Sequence, residues 1–289
     1  MGSLDVVKLA SLMGRTSGGP QITIGLIDGP VQHEHPDLVA AHLLPKEDAA
    51  TCTRSGSVAC MHGTFIAGIL CARRGSPAPA ICPGCNLMVR PIFAENIQRG
   101  EHTPSASPQE LAAAIYDCLS GGARLINLSV ALVQPSVAGE FALEEALNQA
   151  ARVGTVVVAA AGNQGTLGSS VITRHPWVVP VVACDGDGRP DNASNLGESV
   201  GKRGLRAPGV SVTSLGTEGG PVRLSGTSVA VPFVTGTIAL LWSQFPKATV
   251  SEIKLAVTQA STRSRTSVVP PLLDAESAYQ TLRAMKSRS

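Results

Sequence analysis

The chain has 289 residues, 44% hydrophobic and 15% charged, with a net charge of +2; that length and apolar share suit a domain with a sizeable core. Scattered Lys and Arg and an aromatic content of 3% offer neither the basic patch nor the stacking platforms of a nucleic-acid binder. No apolar run reaches the ~18 residues of a membrane helix, and no basic start leads into a long apolar stretch, so neither a membrane span nor a secretory signal is expected.

Leu4, Val7, Leu9 and Leu12 predict an amphipathic lead-in helix over 4–13, within an N-terminal segment 1–20 ahead of a core at 21–285. Short Val/Ile-rich runs at 22–27, 86–91, 124–128, 155–160 and 178–183 predict buried strands. Helical stretches lie between them at 63–71, 108–120 and 137–153. In the last, Phe141, Leu143, Ala146, Leu147 and Ala150 follow helical spacing, with Glu140, Glu144, Glu145 and Gln149 opposite. After residue 228 the chain turns helical, at 229–241, 250–260 and 274–285. Gly-, Pro- and Ser-rich loops fall at 72–84, 98–108, 162–176, 185–199 and 216–226. Near-continuous apolar strands alternating with helices predict a single α/β domain, a three-layer arrangement with a mostly parallel central sheet flanked by helices.

Seven cysteines leave at least one unpaired within the chain. Cys82 and Cys85 have C-x-x-C spacing, but nothing completes a zinc set, so a local disulfide or two thiols beside a turn is expected rather than a metal. Cys52 and Cys60 could close a small loop. Without a secretory signal, a mostly reduced cytoplasmic protein is expected.

Four glycine-bearing motifs carry the chemistry. Ile27-Asp28-Gly29-Pro30 ends a strand in an aspartate, His62-Gly63-Thr64 puts a histidine at a helix start, and Ala160-Ala161-Gly162-Asn163 ends a strand in an asparagine. Gly226-Thr227-Ser228-Val229-Ala230-Val231-Pro232 places a serine where a helix opens, beside free N–H groups and the positive end of the dipole. Taken singly, these read as turn residues, a packed histidine and an N-cap. Together they supply a nucleophile, a base, an orienting acid and an oxyanion donor. Gly25 and Gly29 carry no reacting group and are expected to matter less.

The Asp, His, Asn, Ser order and these blocks resemble the subtilisin-like serine proteases, from about residue 20 to about 285. The resemblance implies that Ser228 attacks the scissile carbonyl, His62 transfers the proton, Asp28 fixes the imidazole tautomer, and Asn163 with the Ser228 N–H binds the oxyanion. It also implies a peptide substrate pairing as a strand with 128–131 (Ser129, Val130 and Ala131 included) beside Ala160, Ala161 and Gly162. Ala131, where the family usually has glycine, would favour small side chains in the first specificity pocket.

Many relatives bind calcium through an aspartate matching Asp37. The loop at 73–80 offers cations and prolines in place of oxygen ligands, so no metal or other cofactor is expected. No inhibitory propeptide is expected before residue 20. Asp28-Gly29-Pro30-Val31, Met61-His62-Gly63-Thr64-Phe65 and 81–85 followed by 89–93 look like proteases that mature ribosomal peptides of the cyanobactin type. The macrocyclising members of that group carry a helical insertion between the aspartate and histidine motifs. With 34 positions from Asp28 to His62, no extra helix fits, and leader cleavage is expected over cyclisation. A transpeptidase, a general subtilisin-like protease and a silent peptide-binding domain are the alternatives.

Overall fold

The computed structural model describes residues 2–44, 51–54, 56–93, 95, 106–130, 140–258 and 267–287. A 7-stranded sheet forms its centre, in the order β2-β3-β1-β4-β5-β6-β7. These strands are β1 (Thr23–Asp28), β2 (His42–Leu44), β3 (Asn86–Pro91), β4 (Leu125–Leu128), β5 (Val156–Ala160), β6 (Val179–Cys184) and β7 (Leu205–Pro208). Every pairing among them is parallel. A separate antiparallel hairpin joins β8 (Val212–Leu215) to β9 (Pro221–Leu224).

The alternation of side chains along a strand divides the core in two. On β5, Val156, Val158 and Ala160 enter one hydrophobic cluster, whereas Val157 and Ala159 enter the other. The first cluster is closed by α2 (Leu9–Arg15), α3 (Val58–Cys71), α8 (Thr227–Gln244), α9 (Val250–Thr258) and α10 (Ala275–Lys286). The second is covered by α4 (Pro108–Ser120) and α5 (Glu140–Val153), with α6 (Val171–Arg174) beside them. The short helices α1 (Ser3–Val6) and α7 (Glu198–Arg203) complete the described set. Helix α8 is buried nearly all round, as a helix in the middle of a large core must be.

Several expectations shift in detail. The lead-in is two short helices, because Lys8 adopts a left-handed conformation (φ 53°) between α1 and α2. β2, β7 and the β8–β9 hairpin arise in stretches too short or too mixed in polarity to show a period. Helix α3 begins at Val58, capped by Ser57, so His62 sits in its second turn rather than at its start. Residues 137–139 and 259–260 of two expected helices lie outside the described residues.

Candidate active site

In a parallel sheet every strand delivers its C-terminus to the same edge, and β1 delivers Asp28 there as its last residue. His62 comes from α3, and the two elements meet through glycine. A methyl carbon on Gly63 would lie 2.4 Å from the carbonyl oxygens of Gly29 and Pro30, and one on Gly29 would lie 1.9 Å from the Ala59 oxygen. One on Gly25 would meet the Cys118 sulfur at 2.7 Å. The expectation that Gly29 matters less is therefore corrected: it carries no reacting group, but with Gly63 it sets how closely β1 and α3 approach, whereas Gly25 lets β1 pack against α4.

At this contact His62 Nδ1 lies 2.7 Å from Asp28 Oδ1, and His62 Nε2 lies 3.0 Å from Ser228 Oγ. A carboxylate only accepts, so Nδ1 carries the proton and Nε2 is left to accept from the serine hydroxyl. Asp28 is fully buried while the His62 ring is partly open. The Gly29 N–H also donates to Asp28 Oδ1 at 2.6 Å. Burial of the imidazole disfavours its charged form. The charge and hydrogen bond of Asp28 outweigh that and raise the His62 pKa above its ordinary 6.5.

Ser228 is the second residue of α8, whose cap, Gly226, has φ 145°. Pro232 lies four residues on and has no N–H, so the Ser228 carbonyl loses its helical partner. Ser129 Oγ donates to that carbonyl instead, at 3.4 Å. Ser129 accepts in turn from Asn127 Nδ2 at 2.7 Å, and Asn127 Oδ1 accepts from Thr235 at 2.9 Å. This buried chain ties the serine's turn to β4.

Asn163 faces the same place. Its Oδ1 accepts from the Thr227 N–H at 2.8 Å and from the Thr227 hydroxyl at 3.0 Å, which leaves the side-chain N–H₂ free to donate. Thr227 thus has a clamping role that sequence reasoning does not assign to it; its place beside the serine is the only signal in the chain that points to it. Ala160 and Ala161 are buried, and the Ala161 N–H is bound to Val181. The Gly162 N–H donates to the Thr227 hydroxyl and its carbonyl accepts from Asn195. These residues form a fixed wall. Ser129 and Val130, by contrast, continue past the end of β4 without a backbone partner among the described residues. Ala131, and with it the expected preference for small side chains, lies outside the described residues.

A disulfide joins Cys52 to Cys60 just ahead of His62, while Cys71, Cys82, Cys85, Cys118 and Cys184 are free and buried. Cys82 and Cys85 are thus two thiols beside a turn. The residues present do not fit the family's calcium site: the Asp37 carboxylate is paired with Arg73 at 2.8 Å. The Arg74 guanidinium donates to the carbonyls of Met13, Thr16 and Ile81, so a fixed cation already ties the N-terminal helices to the body.

A parallel α/β sheet with an acid, an imidazole and a hydroxyl in one hydrogen-bonded line at its C-terminal edge defines a class, the α/β serine hydrolases of subtilisin type. The sequence pattern of the subtilase family matches residues 19–277, and the chain belongs to that family. It is 32% identical over 202 residues, 70% of its own length, to a thermostable alkaline protease of Halalkalibacterium halodurans, and spans about half (52%) of that protein. The solved structure of the prenylagaramide maturation protease PagA superposes with a TM-score of 0.81 at 29% identity, covering 95% of this chain and 98% of that one. A PatG macrocyclase in complex with peptide shares the fold, with a TM-score of 0.81 at 23% identity over 98% of each chain. No helix among the described residues is long and apolar enough to cross a membrane.

Gly63→Ala separates two effects of opposite sign. Helix propensity alone favours alanine by up to about 1 kcal/mol. The backbone oxygens facing Gly63 predict the reverse: a lower melting temperature and a fall in kcat/KM of roughly 10²-fold as His62 is moved off Asp28. Calorimetry and steady-state kinetics on the variant distinguish them.

Proposed function

We propose that this subtilase is a serine endopeptidase that removes the leader from a ribosomally made precursor peptide. The unbroken line Asp28–His62–Ser228 carries the reading. Ser228 Oγ attacks the scissile carbonyl as its proton passes to His62 Nε2, and Asp28 stabilises the imidazolium that forms. The free amide of Asn163 and the Ser228 N–H, an unpaired donor in the first turn of α8, receive the negative charge of the tetrahedral intermediate. His62 then protonates the leaving amine, and water releases the acyl group by the reverse sequence.

The substrate would lie against Ser129 and Val130, pairing its backbone with theirs, with Ala160, Ala161 and Gly162 as the wall. The likeness to PagA over 95% of the chain supports a precursor peptide as the substrate. Between Asp28 and Val58 the described residues hold one regular element, the three-residue β2. That supports hydrolysis, since no helix among those described residues shields the acyl-enzyme from water. We place the enzyme in the cytoplasm, where such precursors are made. Five buried free thiols fit a reducing compartment, whereas the Cys52–Cys60 bond argues against one.

Cleavage of a precursor peptide in water labelled with oxygen-18 tests the reaction. Linear products with the label in the new carboxyl group are expected, and unlabelled cyclic or amine-joined products would replace hydrolysis by transpeptidation. The pH profile tests the base. His62 must be neutral to accept the serine proton, and its pKa is raised, so kcat/KM is expected to fall as pH drops through a value above 6.5. An acid limb below 6.5, or one unchanged in its midpoint by Asp28→Asn, would remove Asp28 from this role.

A further inference from the structure

The segment that carries Asn163 is held on one side by Thr227 and on the other by residues 193–196, through backbone bonds of Gly165 to Ala193 and of Leu196 to Thr166 and through the side chain of Asn195. Asn195 Oδ1 accepts from the Gln164 N–H at 3.0 Å, from the Thr166 N–H at 3.1 Å and from the Thr166 hydroxyl at 3.1 Å. Its Nδ2 donates to Gln164 Oε1 at 2.6 Å, and its backbone N–H donates to the Gly162 carbonyl at 2.9 Å. The residues immediately before and after Asn163 are thus both fastened to Asn195. The Asn195 segment is itself tied to β6: the Asp191 N–H donates to the Ala183 carbonyl, and the Ala183 N–H donates to Ser194 Oγ at 3.2 Å.

The fastening answers a physical need. Asn163 stands in an exposed loop, next to Gly162 at φ 105° and two residues before Gly165 at φ 63°. Such a loop gives up much conformational entropy when it is fixed. An oxyanion donor is effective only if it is already in position when charge develops. Thr227 fixes the Oδ1 end of the Asn163 side chain but leaves the loop backbone beyond Asn163 to other partners. We propose that Asn195 is a positioning residue for the oxyanion donor: it ties the Asn163 loop to the rigid sheet, and its removal slows turnover by loosening Asn163. The inference rests on the oxyanion role proposed for Asn163.

Three properties mark the role. Three of the four side-chain bonds take Asn195 as acceptor, so Asn195→Asp, which keeps an oxygen towards Gln164 and Thr166 and gives up only the donation to Gln164 Oε1, should retain most of the activity. Asn195→Ala, which leaves these donors unbound, should not. The loss should fall on kcat with KM within about twofold, because Asn195 makes no hydrogen bond to Ser129 or Val130 and holds the wall residue Gly162 through its backbone N–H, which Asn195→Ala keeps. It should also vanish once Asn163 is removed, since it acts only through that residue.

The experiment is a double-mutant cycle on the full chain with a quenched fluorogenic peptide that the unmodified protein cleaves. Asn163→Ala is expected to lower kcat by roughly 10²–10³-fold. Asn195→Ala should lower it by about tenfold or more, but by less than about twofold in the Asn163→Ala background. An Asn195→Ala protein with unchanged kcat, or one that costs the same factor with and without Asn163, overturns the proposal. If Asn195→Ala does not fold, Asn195→Ser, whose shorter side chain cannot reach both amides, takes its place in the cycle, and the same two outcomes support or overturn the role. Full kcat in Asn163→Ala alone would instead sink the oxyanion reading, and the positioning role with it.

Discussion

The approach of β1 to α3 governs the rest of the site. Asp28 is a fully buried carboxylate, and such a group is costly unless charge or hydrogen bonds compensate it. His62 compensates it, at 2.7 Å, only because two glycines let a strand end and a helix come within backbone contact. The same contact raises the imidazole pKa, orients the ring and leaves Nε2 facing Ser228. Geometry, protonation state and burial are here one constraint, and it is set by residues that take no part in any bond-making step.

A second framework is organised around α8. Its first turn supplies Thr227 and Ser228, and its proline at position 232 frees the Ser228 carbonyl for Ser129. Thr227 then clamps Gly162 and Asn163 to the same turn. Ser228 and Asn163, the proposed nucleophile and oxyanion donor, are therefore mounted on one rigid corner where α8 meets the ends of β4 and β5. Such sharing limits relative motion between groups whose separation matters by tenths of an ångström. Towards the N-terminus, Arg73 pairs with the Asp37 carboxylate and Arg74 bridges the carbonyls of Met13, Thr16 and Ile81.

Much of this is legible in the sequence, for definite reasons. The buried strands of the sheet's middle are continuous apolar runs, and Asp28, His62, Asn163 and Ser228 each sit in a glycine-marked motif. What stays hidden depends on contacts between distant segments. Asn195 lies in a stretch that reads as an ordinary polar loop, and only the fold brings it across 31 positions to Gln164. β2, β7 and the β8–β9 hairpin have 3 or 4 residues each, too few to establish a period. The true start of α3 is concealed because the stretch before His62, with Ser57, Cys60 and Met61, carries no clear apolar stripe. Gly29 and Gly63 are visible as glycines, but the need for them is a distance, and distances appear only in three dimensions.

The central claim is that Ser228 is a nucleophile activated by His62. The most direct measurement is reaction of the protein with a fluorophosphonate, followed by peptide mass spectrometry to locate the adduct. A single adduct on Ser228 is predicted, formed rapidly in the unmodified chain and almost not at all in His62→Ala. An adduct elsewhere, no adduct, or labelling of Ser228 that is indifferent to His62 would contradict it.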